Sequence, residues 1–339
     1  MKIQRVHRFF WVVPVLFSGL SLILSSAHDI KGVKEKEIIW IRTTCCDSKP
    51  APLPSMEIPG DFESLTLPIK RAGRLILIEA RIDTMIGNFI FDSGATGLVL
   101  NRSYFRQGTS AYGHVAGGVT GSAGRVERTT VGELQVSDLL FRKISADLAN
   151  LGHIENSRGV QILGLFGYGL IRDFELVIDL PGNAIELHRI DEEGNRMNNT
   201  KHPHTFDMVE KVRIYSDIMF IPGNISGKKL LFCLDTGAES NVVDNHLPDK
   251  VLNTVNISRR SNLRGVGSHS VEVLYGDMGE FILANRNIEG MQTIITDLRP
   301  MGNAYGVQID GVLGCDFFEK GIVCINPVKK ELGFSFYRQ

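Results

Sequence analysis

The sequence predicts an all-β protein made of two similar units, and three observations carry this prediction. Short runs of β-branched and aromatic residues dominate from Asp61 onward, whereas helical patterns are few and short. The motif FDSGATGLVL at residues 91–100 returns as FCLDTGAESNVV at residues 232–243. The chain also has 35 scattered glycines, above the average usage of roughly 7%, which suits tight turns between many short strands.

Length and charge limit the possible functions. With 339 residues the chain exceeds one average domain, so two domains or one large β domain are expected. The 37 basic and 38 acidic residues give a net charge of −1. This balance provides no general attraction to nucleic acid or to an anionic membrane, and we expect no nucleic-acid partner.

Residues 1–27 have the pattern of an export signal peptide, with a basic start, an apolar middle and small residues at the end. A signal that stays uncleaved and holds the chain in a membrane is the alternative, although the apolar run is slightly short for a membrane span. With either outcome the rest of the chain is expected outside the cytoplasm, in the periplasm or the extracellular space. Residues 28–60 are rich in proline and are expected to form an N-terminal tether.

Strand-like runs divide the remaining chain into a first lobe at residues 61–190 and a second lobe at residues 209–339. The polar stretch between them, residues 191–208, is expected to be an interdomain linker. Within the first lobe, Gly87-Asn88 predicts a hairpin turn between two strands.

Helices are expected to be short. Helical patterns occur near YGLIRDF in the first lobe and near CDFFEK in the second. Asn101 and Asp244 each follow the aspartate of their motif by nine positions, and both are residue types that start helices well.

An internal repeat relates the two lobes and predicts their architecture. An offset of 147 positions places residues 164–167, GLFG, on residues 311–314, GVLG. The aspartate motifs match at an offset of 143, from Asp92 to Asp235, so only a four-residue insertion separates the two alignments. The two halves are therefore expected to be copies of one β-rich unit.

The chain has five cysteines, so at least one is unpaired in a monomer. Cys233 lies two residues before Asp235 and is expected to be a small buried core residue. Cys315 and Cys324 could form a disulfide, and the sequence leaves that open. No group of cysteine and histidine residues has the spacing of metal ligands, so no metal site is expected.

A single Asp-[Ser/Thr]-Gly triplet is a weak signal, because these residue types all belong in ordinary turns at strand ends. Two copies in register are much harder to explain by turn chemistry. Each copy here lies between apolar strands and is followed downstream by two large apolar residues and a glycine. Paired carboxyl groups suit general acid–base chemistry, because two of them held close together share one proton.

This pattern resembles the aspartic peptidases, and specifically the retropepsin-like class in its two-lobed, single-chain bacterial form. The resemblance covers residues 64–334 and implies the bilobal acid-protease fold. In that fold two similar β-barrel-like lobes are related by a pseudo-twofold axis, with the active site between them. The implied function is an exported, monomeric aspartic endopeptidase that holds an extended peptide or unfolded protein like an added strand, without a cofactor or metal.

The resemblance also assigns roles to residues. It makes Asp92 and Asp235 the catalytic pair that activates a water. The supporting residues, which turn each loop and bond across to the opposite one, are Ser93, Gly94, Thr236 and Gly237. The psi-loop residues that pack beneath the pair are Leu165, Phe166, Gly167, Val312, Leu313 and Gly314.

Glycine-rich stretches follow both aspartates at similar distances. By resemblance they are a pair of flaps that close over the substrate, with candidate residues Gly117, Gly118, Gly121, Gly265 and Gly267. Ordinary surface hairpins are the alternative. A phosphate-binding loop is disfavoured, because no Gly-Lys-[Ser/Thr] ending follows either stretch.

Two further functions stay open at this point. A non-catalytic peptide-binding module could keep the same fold, since fold does not imply function. A β-rich carbohydrate-binding or adhesive protein could carry the motifs by coincidence, but the paired registers disfavour it.

Overall fold

A computed structural model describes residues 55–57, 62–106, 109–118, 121–197, 205–264 and 270–337. The predicted export signal and most of the predicted tether lie outside these residues. Among the described residues, no helix is long and apolar enough to cross a membrane.

The first half of the chain is almost entirely strand. Its strands are β1 (Ser55–Glu57), β2 (Ser64–Pro68), β3 (Lys70–Ala72), β4 (Leu75–Ile82), β5 (Met85–Asp92), β6 (Leu98–Asn101), β7 (Thr109–Gly118), β8 (Gly121–Val136), β9 (Leu139–Ala149), β10 (Ile162–Gly167), β11 (Phe174–Asp179) and β12 (Ala184–Arg189). One short helix, α1 (Gly152–Arg158), and a 3-10 turn at Tyr168–Leu170 complete this half.

The second half is also mostly strand. Its strands are β13 (Met208–Lys211), β14 (Arg213–Tyr215), β15 (Ile218–Ile225), β16 (Lys228–Leu234), β17 (Asn241–Asp244), β18 (Val255–Arg264), β19 (Ser270–Met278), β20 (Ile282–Leu283), β21 (Arg286–Asn287), β22 (Met291–Thr296), β23 (Gly311–Leu313), β24 (Gly321–Asn326) and β25 (Glu331–Phe336). Its helices are α2 (Asp249–Leu252), α3 (Arg299–Tyr305) and α4 (Cys315–Phe318).

Each half forms one strongly curved sheet around an apolar core. In the first lobe, β4, β5, β10, β6, β9 and β8 pair in a closed ring, because β8 pairs with both β9 and β4. The second lobe has the same strand order, but its ring stays open, since β15 pairs with β20 instead of with β19. Buried rings such as Phe89, Phe141 and Phe166 fill the first barrel, and Phe232 and Phe281 pack edge to face in the second.

Strand register confirms the internal repeat residue by residue. In the first lobe β10 runs parallel to β5, with Phe166 opposite Phe91, and antiparallel to β6. In the second lobe β23 runs parallel to β16, with Leu313 opposite Leu234, and antiparallel to β17. These pairs are the ones that the two sequence offsets equate. The predicted all-β fold of two similar lobes, the bilobal aspartic-protease-like fold, is confirmed.

A third sheet joins the lobes. Its strand order is β13-β25-β24-β11-β12-β2, so three strands of the second half meet three strands of the first half at its centre. The central pair is β11 with β24, which aligns Val177 with Cys324. Buried Glu175 lies in this sheet and binds Arg196 at 2.5 Å and Asn326 at 2.9 Å, which ties the polar segment after β12 to the second half.

The hairpin predicted at Gly87-Asn88 is wrong. The turn lies four residues earlier, at Asp83-Thr84, where Asp83 adopts a left-handed φ of 49° and accepts the Glu133 N–H. Gly87 is inside β5 because the Leu163 side chain occupies the space of a Cβ, at 2.7 Å from its ideal position.

The prediction that Asn101 and Asp244 start helices is also wrong. Each residue ends a strand, β6 or β17. Their side chains instead accept the N–H of the residue just before a helix that begins about fifty positions later, Leu151 before α1 and Leu298 before α3. The two polar side chains therefore satisfy a backbone N–H at the start of a helix that is distant in the sequence.

Cys315 and Cys324 do not form a disulfide. Both are buried thiols outside any disulfide, as is Cys233. The Cys315 thiol instead donates to the Arg74 carbonyl at 2.9 Å.

Candidate active site

The two motif aspartates occupy equivalent places at the ends of buried strands. Asp92 is the last residue of β5, and Asp235 directly follows β16. In each loop the chain turns back at once, with Ala95 N–H donating to the Asp92 carbonyl and Ala238 N–H donating to the Asp235 carbonyl, both at 3.2 Å. The pairing of the strands with β10 and β23 brings both loops to the interface between the lobes.

Ser93 and Thr236 lock the two loops together. The Ser93 N–H donates to the Thr236 hydroxyl at 2.9 Å, and the Thr236 N–H donates to the Ser93 hydroxyl at 3.0 Å. Each hydroxyl then donates to a carbonyl of the opposite strand, Ser93 to Leu234 at 3.0 Å and Thr236 to Phe91 at 2.8 Å. Both side chains are buried, so the four bonds form without competition from water.

Glycine at the third motif position allows the two carboxyl groups to meet. A Cβ on Gly94 would lie 2.6 Å from the Asp235 carboxyl carbon, and a Cβ on Gly237 would lie 2.7 Å from that of Asp92. Real Cβ atoms essentially never come this close to another heavy atom. The Gly94 N–H also donates to Asp92 at 2.8 Å, and the Gly237 N–H donates to Asp235 at the same distance.

The two carboxyl groups lie close together, each against the glycine of the opposite loop, and such a close pair favours a single shared proton. Burial raises the pKa of both groups, and the charge of Asp235 raises that of Asp92 further. The backbone N–H groups of each loop oppose this effect, because they favour the ionised form. Such a pair holds one acid and one base at once, and it titrates as a unit.

The residues predicted for the psi-loops lie on the strands next to the aspartate loops. Leu165, Phe166 and Gly167 are on β10, and Val312 and Leu313 are on β23 with Gly314 next to it. The Gly167 N–H donates to Gly97 at 3.1 Å, and the Gly314 N–H donates to the buried Asn241 side chain at 2.8 Å. Both glycines press against the carbonyls of the loops above, which leaves no room for a side chain.

Three of the five flap candidates lie on one hairpin of the first lobe. Gly117, Gly118 and Gly121 are at the end of the β7–β8 hairpin, where Gly118 pairs with Gly121. The counterpart is the β18–β19 hairpin, in which Arg264 pairs with Ser270. The candidates Gly265 and Gly267 lie outside the described residues.

Two residues at this site are absent from the sequence prediction, Tyr305 and Arg158. The Tyr305 hydroxyl donates to the Gly94 carbonyl at 3.1 Å, and Arg158 pairs with Glu239, four positions after Asp235. Each is the last residue of a short helix, α3 or α1, and each reaches the aspartate loop of the opposite lobe. The offset of 147 places Arg158 on Tyr305, so the repeat carried a signal for their equivalence.

One group of side chains outside this site has the composition of a metal site. Asp244, His246 and Asp297 place their ligand atoms within 4.8 Å of one another. Arg299 already binds both oxygens of Asp297, at 2.9 and 2.6 Å, and lowers the pKa of that carboxyl to about 2. A guanidinium in that position supplies the positive charge that a cation would bring.

The match to a known protein family lies in the second lobe. A family model described as aspartyl protease matches residues 221–317, which include Asp235 and the second psi-loop. No curated protein sequence gives a significant match.

Solved structures with a similar chain path include Basic 7S globulin from soybean and edgp. For the first, the TM-score is 0.46 at 11% identity, with 80% of this chain and 95% of that chain covered. For the second, the TM-score is 0.46 at 11% identity, with 81% and 95% covered. Likeness at this level identifies neither an activity nor a substrate.

Proposed function

We propose that this protein is an aspartic endopeptidase in which Asp92 and Asp235 together activate a water and hydrolyse peptide bonds. The single observation that carries the proposal is the pair of carboxyl groups that two equivalent, cross-bonded loops bring together, each against the glycine of the opposite loop. The carboxylate takes a proton from the water as it attacks the peptide carbonyl, and the protonated carboxyl gives its proton to the carbonyl oxygen. Neither aspartate is assigned one of these roles alone, because the proton is shared.

The rest of the site suits this reaction. The four cross-loop bonds of Ser93 and Thr236 fix both loops, so that the carboxyl groups need little reorganisation on the way to the transition state. Burial raises the pKa of the pair, which keeps one proton on it at a higher pH than an exposed carboxyl would.

We further propose the retropepsin-like subtype, with an extended peptide or unfolded protein as substrate. Two hairpins at equivalent positions, β7–β8 and β18–β19, support a pair of flaps over the site. An extended substrate would bind by main-chain hydrogen bonds, as an added strand does. Action outside the cytoplasm, as a monomer, is part of the same proposal and rests on the signal-like residues 1–27.

Cleavage of a peptide library, with and without a statine-type inhibitor, tests this function. We expect cleavage by the purified chain and its loss when the inhibitor is present. The Asp138→Asn variant changes an exposed aspartate and is the matched control for substitutions of Asp92 and Asp235. It should cleave normally. Binding of the inhibitor without any cleavage would instead indicate the alternative function, a non-catalytic peptide-binding module.

A further inference from the structure

The carbonyl groups of the two aspartate loops differ in their hydrogen bonding. In the first loop, the Asp92 carbonyl accepts Ala95 N–H and the Ala95 carbonyl accepts Tyr168 N–H. Between them, the Gly94 carbonyl accepts no backbone N–H within the described chain, and its partner is the Tyr305 hydroxyl at 3.1 Å. The equivalent Gly237 carbonyl has no donor among the described residues. Two backbone acceptors therefore flank the carboxyl pair, and only one is capped.

The position of Tyr305 explains how a side chain of the second lobe reaches the first loop. Tyr305 is the last residue of α3, and Gly306 ends that helix with a left-handed φ of 67°. Helix α3 lies against strand β7 of the first lobe, which belongs to one of the flap hairpins. The Tyr305 ring packs against buried apolar residues of the second lobe, among them Cys233, and the side chain stays partly accessible.

The phenol is a hydrogen-bond donor at any working pH. Burial raises the pKa of Tyr305 well above its usual value, and the nearby carboxyl pair adds to this effect. The bond to Gly94 is between two neutral groups, and such bonds contribute little net free energy and are readily exchanged.

The equivalent residue of the first lobe makes no such cap. Arg158 occupies the place of Tyr305 at the end of α1, but it forms an ion pair with Glu239 and leaves the Gly237 carbonyl uncovered. The cap is therefore a feature of one side of the site and not a consequence of the repeat.

We propose that the Tyr305 hydroxyl is a removable cap on the Gly94 carbonyl, which an extended substrate displaces with one of its own backbone N–H groups. This inference rests on the proposed peptide-binding function. The carbonyl is satisfied in both states, by the phenol in the free protein and by the substrate in the complex. Breaking the bond between Tyr305 and Gly94 costs free energy, so the cap lowers the affinity for peptides that supply an N–H to the Gly94 carbonyl. Peptides without an N–H at that position are not affected.

The Tyr305→Phe variant tests the cap, because it keeps the ring and removes the hydroxyl. We expect KM for a cleaved peptide to fall by about threefold to tenfold while kcat stays unchanged. The exposed Tyr215, replaced as Tyr215→Phe, is the matched control and should leave both constants unchanged. A scan of singly N-methylated versions of the peptide should reveal one position at which Tyr305→Phe no longer lowers KM.

Other outcomes would contradict the proposed role of Tyr305. An unchanged KM shows that the phenol does not compete with substrate. A fall in kcat shows that it positions the loop for catalysis instead. If neither the wild type nor a variant cleaves any peptide, the proposed hydrolysis fails, and the cap is then judged by affinity alone. In that case the Asp92→Asn chain should bind the peptide more tightly when Tyr305→Phe is added, and equal or absent binding refutes the cap.

Discussion

Alanine follows the Asp-[Ser/Thr]-Gly triplet in both lobes, and this has a consequence for pH. Ala95 and Ala238 provide backbone N–H groups to their loops but no side-chain donor to the carboxyl groups. Burial raises the pKa of the pair, and the proposed hydrolysis requires one proton on it. The proposed activity is therefore expected to persist as pH rises toward the raised pKa and to be lost above it.

We expect a pH optimum closer to neutral than that of gastric-type enzymes, and an acid shift on adding serine to both loops. A new hydroxyl donor favours the ionised form, and a charge-assisted bond of roughly 1.5–3 kcal/mol lowers a pKa by about one to two units. The measurement is the pH profile of kcat/KM for the wild type and the Ala95→Ser/Ala238→Ser variant. A wild-type optimum near that of gastric enzymes, or no acid shift in the variant, would contradict the argument.

Glycine at position 237 is required by the closeness of the Asp92 carboxyl, which lies 2.7 Å from an ideal Cβ. We expect Gly237→Ala to push the carboxyl pair apart and to lower kcat/KM on the order of 100-fold, the effect of a displacement of about 1 Å. Gly97→Ala is the control, because Gly97 lies in the other aspartate loop with open space at its Cβ position. Equal activity of the two variants would show that the close contact does not matter.

Among the elements, α4 and the β3–β4 turn hold the lobes together by a charge pair. Arg74 binds both oxygens of Asp316, at 2.8 and 2.9 Å, and Glu319 at 2.6 Å. Asp316 is only 6% exposed, so its charge depends on this partner. The pKa of Arg74 stays well above its ordinary value, because the bonds to Asp316 and Glu319 outweigh the effect of burial.

We expect Arg74→Met to lower the free energy of unfolding by about 3 kcal/mol, because it leaves a buried carboxylate without its cation. Adding Asp316→Asn should restore part of that loss. Urea denaturation measures both, with Lys70→Met as the control, since the Lys70–Glu79 pair is exposed and contributes about 0.5 kcal/mol. A similar loss of unfolding free energy in Lys70→Met and in Arg74→Met would show that the Arg74–Asp316 pair contributes no more than an exposed ion pair.

The elements also show what could be predicted from the sequence. The repeat offsets predicted that the two halves are copies of one β-rich unit, and equivalent strands do pair with equivalent partners. The hairpin at Gly87-Asn88 was misplaced, because glycine there serves contact with Leu163 and not a turn. The Tyr305 contact could not be predicted, since α3 is a seven-residue helix whose last side chain bonds a residue 211 positions away.

At the scale of the whole molecule, the third sheet makes the lobes one folding unit. Strands β11 and β24 come from different halves and pair at its centre, so neither half completes the sheet alone. We expect amide protons of β11 and β24 to exchange together, with the free energy of global unfolding. Hydrogen exchange followed by mass spectrometry measures this. Earlier exchange of one whole half would contradict a shared core.

The central claim, that Asp92 and Asp235 act as one unit with a shared proton, is tested most directly by turnover of the single and double asparagine variants. Each of Asp92→Asn and Asp235→Asn should lower kcat/KM on the order of 10⁴-fold or more with an unchanged circular dichroism spectrum, and the double variant should lose no more than either single one. Near wild-type turnover in either single variant, or losses that multiply in the double variant, would contradict the claim.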